Sequence, residues 1–160
     1  MTAKTEREKA QKNIADNRKA LHDYHILEEW EAGVALLGTE VKAIREGRVN
    51  LRDSYARIDK GEVWLSNLHI SAYSHTGYDH HDERRQRKLL LHKSEIRKLI
   101  GKTVERGMTL VPLRVYFKDG RVKVAVSLAK GKQDYDKRET IKKREADRET
   151  RAAVKTHAHR

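Results

Sequence analysis

The sequence predicts a small, mainly β protein: an antiparallel barrel with two or three short helices, followed by a basic tail of different composition. Three observations carry that expectation. Residues 55–65 and 109–129 each alternate apolar with polar side chains about a glycine-containing turn, as hairpins with one buried face do. Both ends of the chain are too poor in large apolar residues to share a core. With 160 residues, one proline and no cysteine, the chain has the length of a single domain and no disulfide framework.

Taken in order, residues 1–16 hold Ile14 as their only sizeable aliphatic and read as a flexible arm, because they bury too little to offset their ordering entropy. Between His22 and Leu37, Tyr24, Ile26 and Trp30 alternate with polar neighbours in a strand, where Gly33 allows a bulge and Gly38 a stop. Thr39 fits an N-cap, Glu40 the first turn, Val41 and Ile44 one apolar face, and Gly47 the end of a short helix. Residues 55–58 and 63–65 flank the turn Asp59-Lys60-Gly61-Glu62, and Leu68-His69-Ile70 offers another strand. Residues 74–83 lack any apolar period and read as a loop.

Leu89, Leu90 and Leu91 form a short apolar run at the end of a dense basic stretch. Ser94 then starts a helix with Ile96, Leu99 and Ile100 turned inward and Gly101 at its end. Val111, Leu113, Val115 and Phe117 precede the turn Lys118-Asp119-Gly120, and Val122, Val124, Val126 and Leu128 follow it. Arg121, Lys123, Ala125 and Ser127 take the opposite face. Pro112 donates no ladder bond and belongs on an edge or at a bulge. Five or six strands with such helices fit an OB-like barrel over residues 17–129.

The tail, residues 130–160, has Tyr135, Ile141 and Val154 as its larger apolar side chains. Glu139 stands four before Lys143, and Asp147 four before Arg151. Such pairs contribute only ~0.2–0.5 kcal/mol each, so the tail is expected to be disordered alone and helical against a negative surface.

Charge narrows the function. The net +12 is unevenly spread: residues 20–83 carry twelve acids against six bases, residues 84–102 eight bases against Glu95 alone, and residues 130–160 eleven bases against six acids. Such segregation is the footprint of a polyanion partner. No run of about 18 apolar residues exists to cross a bilayer. The charged start Met1-Thr2-Ala3-Lys4 lacks the apolar core of a secretory signal, so a cytoplasmic protein is expected. His75, His80 and His81 with Asp79 and Asp82 resemble a metal-nuclease set only in composition, since adjacent loop residues point apart. No Gly-x-Ser-x-Gly or cysteine nucleophile is present. No enzyme, metal site or cofactor is expected.

Specific words then stand in order along the chain: Asn17-Arg18-Lys19-Ala20 with His22-Asp23-Tyr24, Glu31-Ala32-Gly33, Gly38-Thr39-Glu40-Val41-Lys42, and Asn50-Leu51 with Asp53-Ser54-Tyr55. Arg87-Lys88-Leu89-Leu90-Leu91-His92, Leu110-Val111-Pro112-Leu113, and Lys130-Gly131-Lys132 before Tyr135-Asp136-Lys137-Arg138 complete them. From Asn17 to Arg138 the chain resembles the SsrA-binding proteins, the small protein B family. It departs from them in lacking an Asp-Pro before the basic run, where Asp82 precedes Glu83, and in placing Trp64 where a smaller apolar residue is usual.

The resemblance implies an OB-like bacterial protein that binds the tRNA-like domain of transfer-messenger RNA. It would enter stalled ribosomes in place of an anticodon arm, together with elongation factor Tu and the charged RNA. It further implies that the tail lies in the mRNA channel beside the decoding centre and 16S rRNA, so that translation resumes on the RNA's own frame. A ribosomal protein or a general OB-type translation factor that binds rRNA is the alternative.

Arg84, Arg85, Arg87 and Lys88 are then expected on RNA phosphates. Leu90 is the family's apolar RNA contact or else a core leucine, and Glu31 an RNA acceptor or else a structural ion pair. Lys123 is an RNA contact or a plain strand lysine, and Lys130 and Lys132 are expected as further RNA contacts. Lys19 and His22 flank the first barrel strand, where His22 stacks on a nucleotide or is satisfied locally. In the tail, Tyr135 stacks near the decoding bases or is incidental, while Lys137, Arg138, Lys142, Lys143 and Arg144 meet rRNA in the channel.

Overall fold

The computed structural model describes residues 11–73, 81–104, 107–132 and 134–158, and gives only the helix path at 134–136, 157 and 158. The strands are β1 (Gln11–Asp16), β2 (Tyr24–Val34), β3 (Val49–Asn50), β4 (Tyr55–Asp59), β5 (Glu62–Ser66), β6 (His69–Ile70), β7 (Arg87–Leu90), β8 (Met108–Lys118) and β9 (Arg121–Gly131). The helices are α1 (Arg18–Asp23), α2 (Gly38–Arg45), α3 (Lys93–Thr103) and α4 (Asp134–Ala158).

Strands β8, β4, β5, β7, β2 and β9 close into an antiparallel ring, because β9 pairs with both β2 and β8. This is the barrel that the alternating patterns predict. Strand β1 joins β8 on the edge shared with β4, from Gln11 opposite Lys118 to Asp16 opposite Arg114. The two tight hairpins turn as expected: Lys60 and Gly61 have φ of 50° and 74°, Asp119 and Gly120 of 51° and 75°, the left-handed pair of a type I′ turn. Inside lies one core, with Ile44 of α2, Leu65 of β5, Leu89 of β7 and Val124 of β9 among its buried members.

Several expectations are corrected. The flexible arm expected over residues 1–16 is not found at residues 11–16, because β8 offers a long free edge that recruits them through backbone bonds without an apolar signal. Residues 1–10 lie outside the described set. Helix α1 replaces the start of the expected strand: Asn17 caps it, accepting from Ala20 N–H at 3.1 Å. Buried Asn17 also donates to the carbonyl oxygens of Pro112 (2.9 Å) and Leu51 (3.3 Å), which fastens α1 to the barrel.

Val111 and Leu113 do not share a face with Val115. The register slips between Pro112 and Arg114, a bulge at Leu113 that turns Val111 and Leu113 outward, onto a second small core with Ala20 of α1 and Ala129. Val115 stays inside, and Leu110 and Val122 lie there with it. The expected bulge at Gly33 is found instead between Ile26 and Glu28.

Thr39 and Ser94 are not caps. Helix α2 follows Leu37 and α3 follows His92, whose backbone N–H groups are taken by Glu40 (2.9 Å) and Glu95 (3.2 Å) from the first turn. Helix α2 ends as foreseen, with Gly47 N–H on Ile44 O (2.9 Å) and Arg48 N–H on Ala43 O (3.0 Å) in a Schellman motif. Gly101 lies inside α3, which runs on to Thr103, and Ile100 faces solvent.

The tail, expected to be disordered alone and helical against a negative surface, is a 25-residue helix in this structure. Strand β9 carries the barrel on to Gly131, past the expected boundary at 130. The first turns of α4 lean on α1: Lys132 Nζ donates to Leu21 O (3.2 Å) and Thr140 Oγ1 (2.8 Å), and Lys137 stands 3.9 Å from Asp23. From Ile141 to Thr156 the helix is exposed, so nothing on the barrel holds it beyond those turns.

Candidate nucleic-acid interface

The basic run after residue 83 does not present a uniform surface. Glu40, on the first turn of α2, is fully buried and faces β7. Its two oxygens bind Arg85 and Arg87. Arg87 is itself 0% exposed, and its guanidinium also donates to Leu68 O (2.7 Å), Arg85 O (3.2 Å), Glu83 O (3.3 Å) and Asp82 O (3.4 Å). Burial pushes the Glu40 carboxyl up, yet Arg85, the Leu37 N–H and Arg87 outweigh it and hold the group below its ordinary range. For Arg87, burial lowers the pKa and Glu40 restores part of it.

Arg87 therefore belongs to the core, and the expectation that it meets phosphate is corrected. It ties the loop before β7 to the barrel, because a strand residue pointing inward can be charged only if fully paired. Arg85 is half-buried on the same carboxylate. Arg84 is exposed, donating to Asn67 Oδ1 (2.8 Å), and Lys88 is partly exposed beside Glu62 (2.9 Å).

One residue further on, β7 changes face. Leu89 is 1% exposed and Leu90 52%, so Leu90 is the outward leucine. It pairs across the sheet with Gly33 of β2, and Gly33 pairs in turn with Lys123 of β9, which sets Leu90 and Lys123 on one outer face. Glu31, two residues before Gly33 on β2, lines the same hollow as Leu90, Lys123, His92 and Glu95. Glu31 is already engaged: Tyr116 Oη donates to it at 2.6 Å and Lys118 Nζ at 3.1 Å. Burial opposes its charge, but these two donors and Lys123 hold its pKa below the ordinary value. Burial and the neighbouring Glu31 carboxylate in turn push the Tyr116 phenol above its usual range.

A second cationic area gathers at α1. Lys19 pairs with Asp53, whose pKa its hydrogen bond lowers, and Arg52 and Arg84 lie close enough to lower it further. Arg18, Lys19, His22 and Arg52 line a groove there with Asp16, Asn17, Asp23 and Asn50. His22 Nδ1 lies 2.8 Å from Asp23 Oδ1, a local partner. Lys130 is exposed at the end of β9, whereas Lys132 is spent on Leu21 and Thr140. In α4, Arg138, Lys142, Lys143 and Arg144 are exposed. The Tyr135 side chain lies outside the described set.

The structure thus brings together Glu31, Leu90 and Lys123 on one face, and Lys19, His22 and Arg84 on another. What the sequence reading missed is Glu40. Its only signal was an acid at the third helical position, ordinarily a cap. Of the histidine loop, His75 and His80 lie outside the described residues. His81 is buried, with Nε2 donating to Ile70 O (2.8 Å) and Nδ1 facing Thr39 Oγ1 (3.1 Å). Among the described residues, no three metal-ligating side chains converge and no helix is long and apolar enough to cross a membrane.

Residues 14–156 match the family described as SmpB protein. The chain is 60% identical to the SsrA-binding protein of Carboxydothermus hydrogenoformans over 145 residues, covering 91% of this chain and 97% of the relative. It is 62% identical over 146 residues to that of Trichodesmium erythraeum, covering 91% and 94%. A solved structure described as "tmRNA-SmpB: a journey to the center of the bacterial ribosome" superposes with a TM-score of 0.65 at 52% identity, covering 75% of this chain and 85% of that one.

Proposed function

The chain belongs to the SmpB protein family, and on that premise we propose that it binds the tRNA-like domain of transfer-messenger RNA and delivers it to stalled bacterial ribosomes for trans-translation. The observation that carries the reading is the exposed Leu90 beside Lys123, next to the buried Leu89 of the same strand, together with the exposed Arg138, Lys142, Lys143 and Arg144 of the tail. An outward aliphatic flanked by a lysine suits an unstacked base or a sugar with its phosphate, which is how folded RNA is held.

Within this reading, Leu90 packs on the RNA and Lys123, Arg84, Lys88 and the exposed part of Arg85 meet phosphates. Glu31, held still by Tyr116 and Lys118, offers its remaining lone pairs to a 2′-hydroxyl or a base amine. Lys19, His22 and the exposed Lys130 add further RNA contacts. Tyr135, Lys137, Arg138, Lys142, Lys143 and Arg144 run with α4 along the decoding centre and the mRNA channel, standing in for an anticodon arm. The protein acts by binding and placement, without chemistry of its own, in the cytoplasm and in company with elongation factor Tu.

A general rRNA-binding OB factor would share the charge and the tail. Pull-down of the full chain followed by RNA sequencing separates the two: one stable RNA of transfer-messenger type is expected, and recovery of rRNA alone would overturn the proposal.

A further inference from the structure

Gly33 has no backbone reason to be glycine. It sits near the end of β2 in extended conformation, outside the positive-φ region that the turn glycines occupy. Space is the reason. A Cβ placed there would meet Leu90 Cβ at 3.2 Å, Cδ1 at 3.5 Å and Cγ at 3.8 Å, so the leucine lies draped across bare backbone. No other described glycine has any atom within 4 Å of its missing Cβ.

The drape shapes the surface. Two hollows meet over Gly33, and Gly33, Leu90 and Lys123 line both. One continues into Leu36, Val122 and Arg121, an apolar floor with a cationic rim. The other continues into Glu31, His92 and Glu95, which offer polar groups. A flat apolar shelf with a cation at its edge and acceptors beyond has the chemistry of a nucleoside site.

We propose that Gly33 is a specificity-determining residue of this face: its missing side chain keeps Leu90 flat, so that one shelf joins the two hollows and accepts a nucleoside ring with its phosphates on Lys123 and Arg121. The inference rests on the RNA-binding reading above. A Cβ at position 33 pushes Leu90 up by a few tenths of an ångström and a branched side chain pushes it further, which narrows the shelf while removing no cation.

The test is equilibrium binding of full-length variants to the isolated tRNA-like domain of transfer-messenger RNA across a salt series, with thermal melting alongside. Gly33→Ala is expected to weaken binding roughly threefold and Gly33→Val roughly tenfold, as overpacking displaces the leucine. The slope of log K against log salt should not change, since every phosphate keeps its cation. Melting should stay near the wild-type temperature, because extended backbone accommodates either residue. In a Leu90→Ala background, Gly33→Val should cost no more than about twofold, as nothing remains to be lifted. Wild-type affinity in Gly33→Val, or an equal loss with and without Leu90, would overturn the inference. Leu90→Ala alone separates the two levels: if it binds as wild type, the RNA lies elsewhere and the reading itself fails. If it binds weakly while Gly33→Val does not, only this inference fails. Should Gly33→Val not fold, Gly33→Ala with and without Leu90→Ala makes the same comparison.

Discussion

Two stretches of this chain look alike in composition and behave differently in the fold. Residues 84–88 and residues 137–144 both crowd basic side chains into a few positions. In the first, Arg87 is buried on Glu40, Arg85 shares that carboxylate, Arg84 is held by Asn67 and Lys88 by Glu62. In the second, Arg138, Lys142, Lys143 and Arg144 stand in solvent along α4, and Lys137 reaches back to Asp23 at the end of α1. Arg85 and Arg87 of the first stretch build the turn into β7, with Arg84 and Lys88 paired at the surface, while four cations of the second stand exposed. Net charge counts both equally, and only the pairing tells them apart.

Deleting residues 133–160 should have the largest effect. The barrel ends its own hydrogen bonding at Lys132, whose N–H donates to Asp23 O at 2.8 Å, so the shortened chain keeps its fold and its RNA face. Tagging of stalled products in a reconstituted translation system should fall to background, while binding of the tRNA-like domain is retained. Tagging at the full-length rate would mean that the free cations of α4 have no partner in the channel.

Next in size is the fold itself. Arg87→Ala leaves Glu40 buried with one of its two cationic partners gone, a defect of about 3–5 kcal/mol, or a fall in melting temperature of about 10 °C or more in a chain of this length. Arg84→Ala, three residues earlier on the surface, should stay within about 0.5 kcal/mol of wild type. Equal losses at the two positions would erase the contrast between structural and available charge.

The contrast also has a pH signature. Burial raises the Glu40 pKa, but its hydrogen bonds from Arg85, Leu37 and Arg87 bring it below the ordinary carboxylate value, so the folded protein binds that proton less readily than the unfolded chain. A carboxylate depressed in this way contributes its stability fully above the unfolded value of 4.5, and loses it as pH falls from there through the lower folded value. Wild-type melting temperature should therefore drop on acidification below about pH 5 more steeply than that of Glu40→Gln, which starts lower and lacks this ionisation. Parallel curves would show that Glu40 carries no such linkage.

The same division explains what could be read without the fold. Hairpins with a period-two face and a Lys-Gly or Asp-Gly turn are local, and β4, β5, β8 and β9 were legible from them. So was α2, whose Gly47 stop is a backbone requirement. Strand β1 was not, because Gln11–Asp16 owes its conformation to an open edge on β8, about a hundred residues away. The bulge at Leu113 escaped because it reassigns faces without changing composition. Of the site, Leu90 and Lys123 were each expected as RNA contacts from the family resemblance, with a structural alternative for both, and their common outer face emerges only from the register of β7, β2 and β9, whereas the burial of Arg87 left no sign in the sequence. Its partner lies 47 positions earlier, on a helix that looks merely amphipathic. Gly33 was read as a possible bulge, since the space it leaves exists only once Leu90 is laid across it.

The smallest effect is the finest test of which cations of the first stretch remain available. Each cation withdrawn from an RNA phosphate lowers the salt slope by about 0.7, the single-strand coefficient. Arg84 and Lys88 keep side-chain surface in solvent, and their partners Asn67 and Glu62 lie at the surface as well, so little desolvation binds them there. Exposed pairs of that kind are worth at most about 1 kcal/mol and exchange readily for a phosphate. Arg84→Ala and Lys88→Ala should each therefore lower the slope by up to about 0.7. Lys123→Ala should lower it by a similar step, and Glu62→Gln, by freeing Lys88, should leave the slope unchanged while raising affinity slightly at low salt. A slope that moves with Lys123 but with neither Arg84 nor Lys88 would assign the whole of residues 84–88 to the fold and confine phosphate binding by the barrel to the face around Leu90.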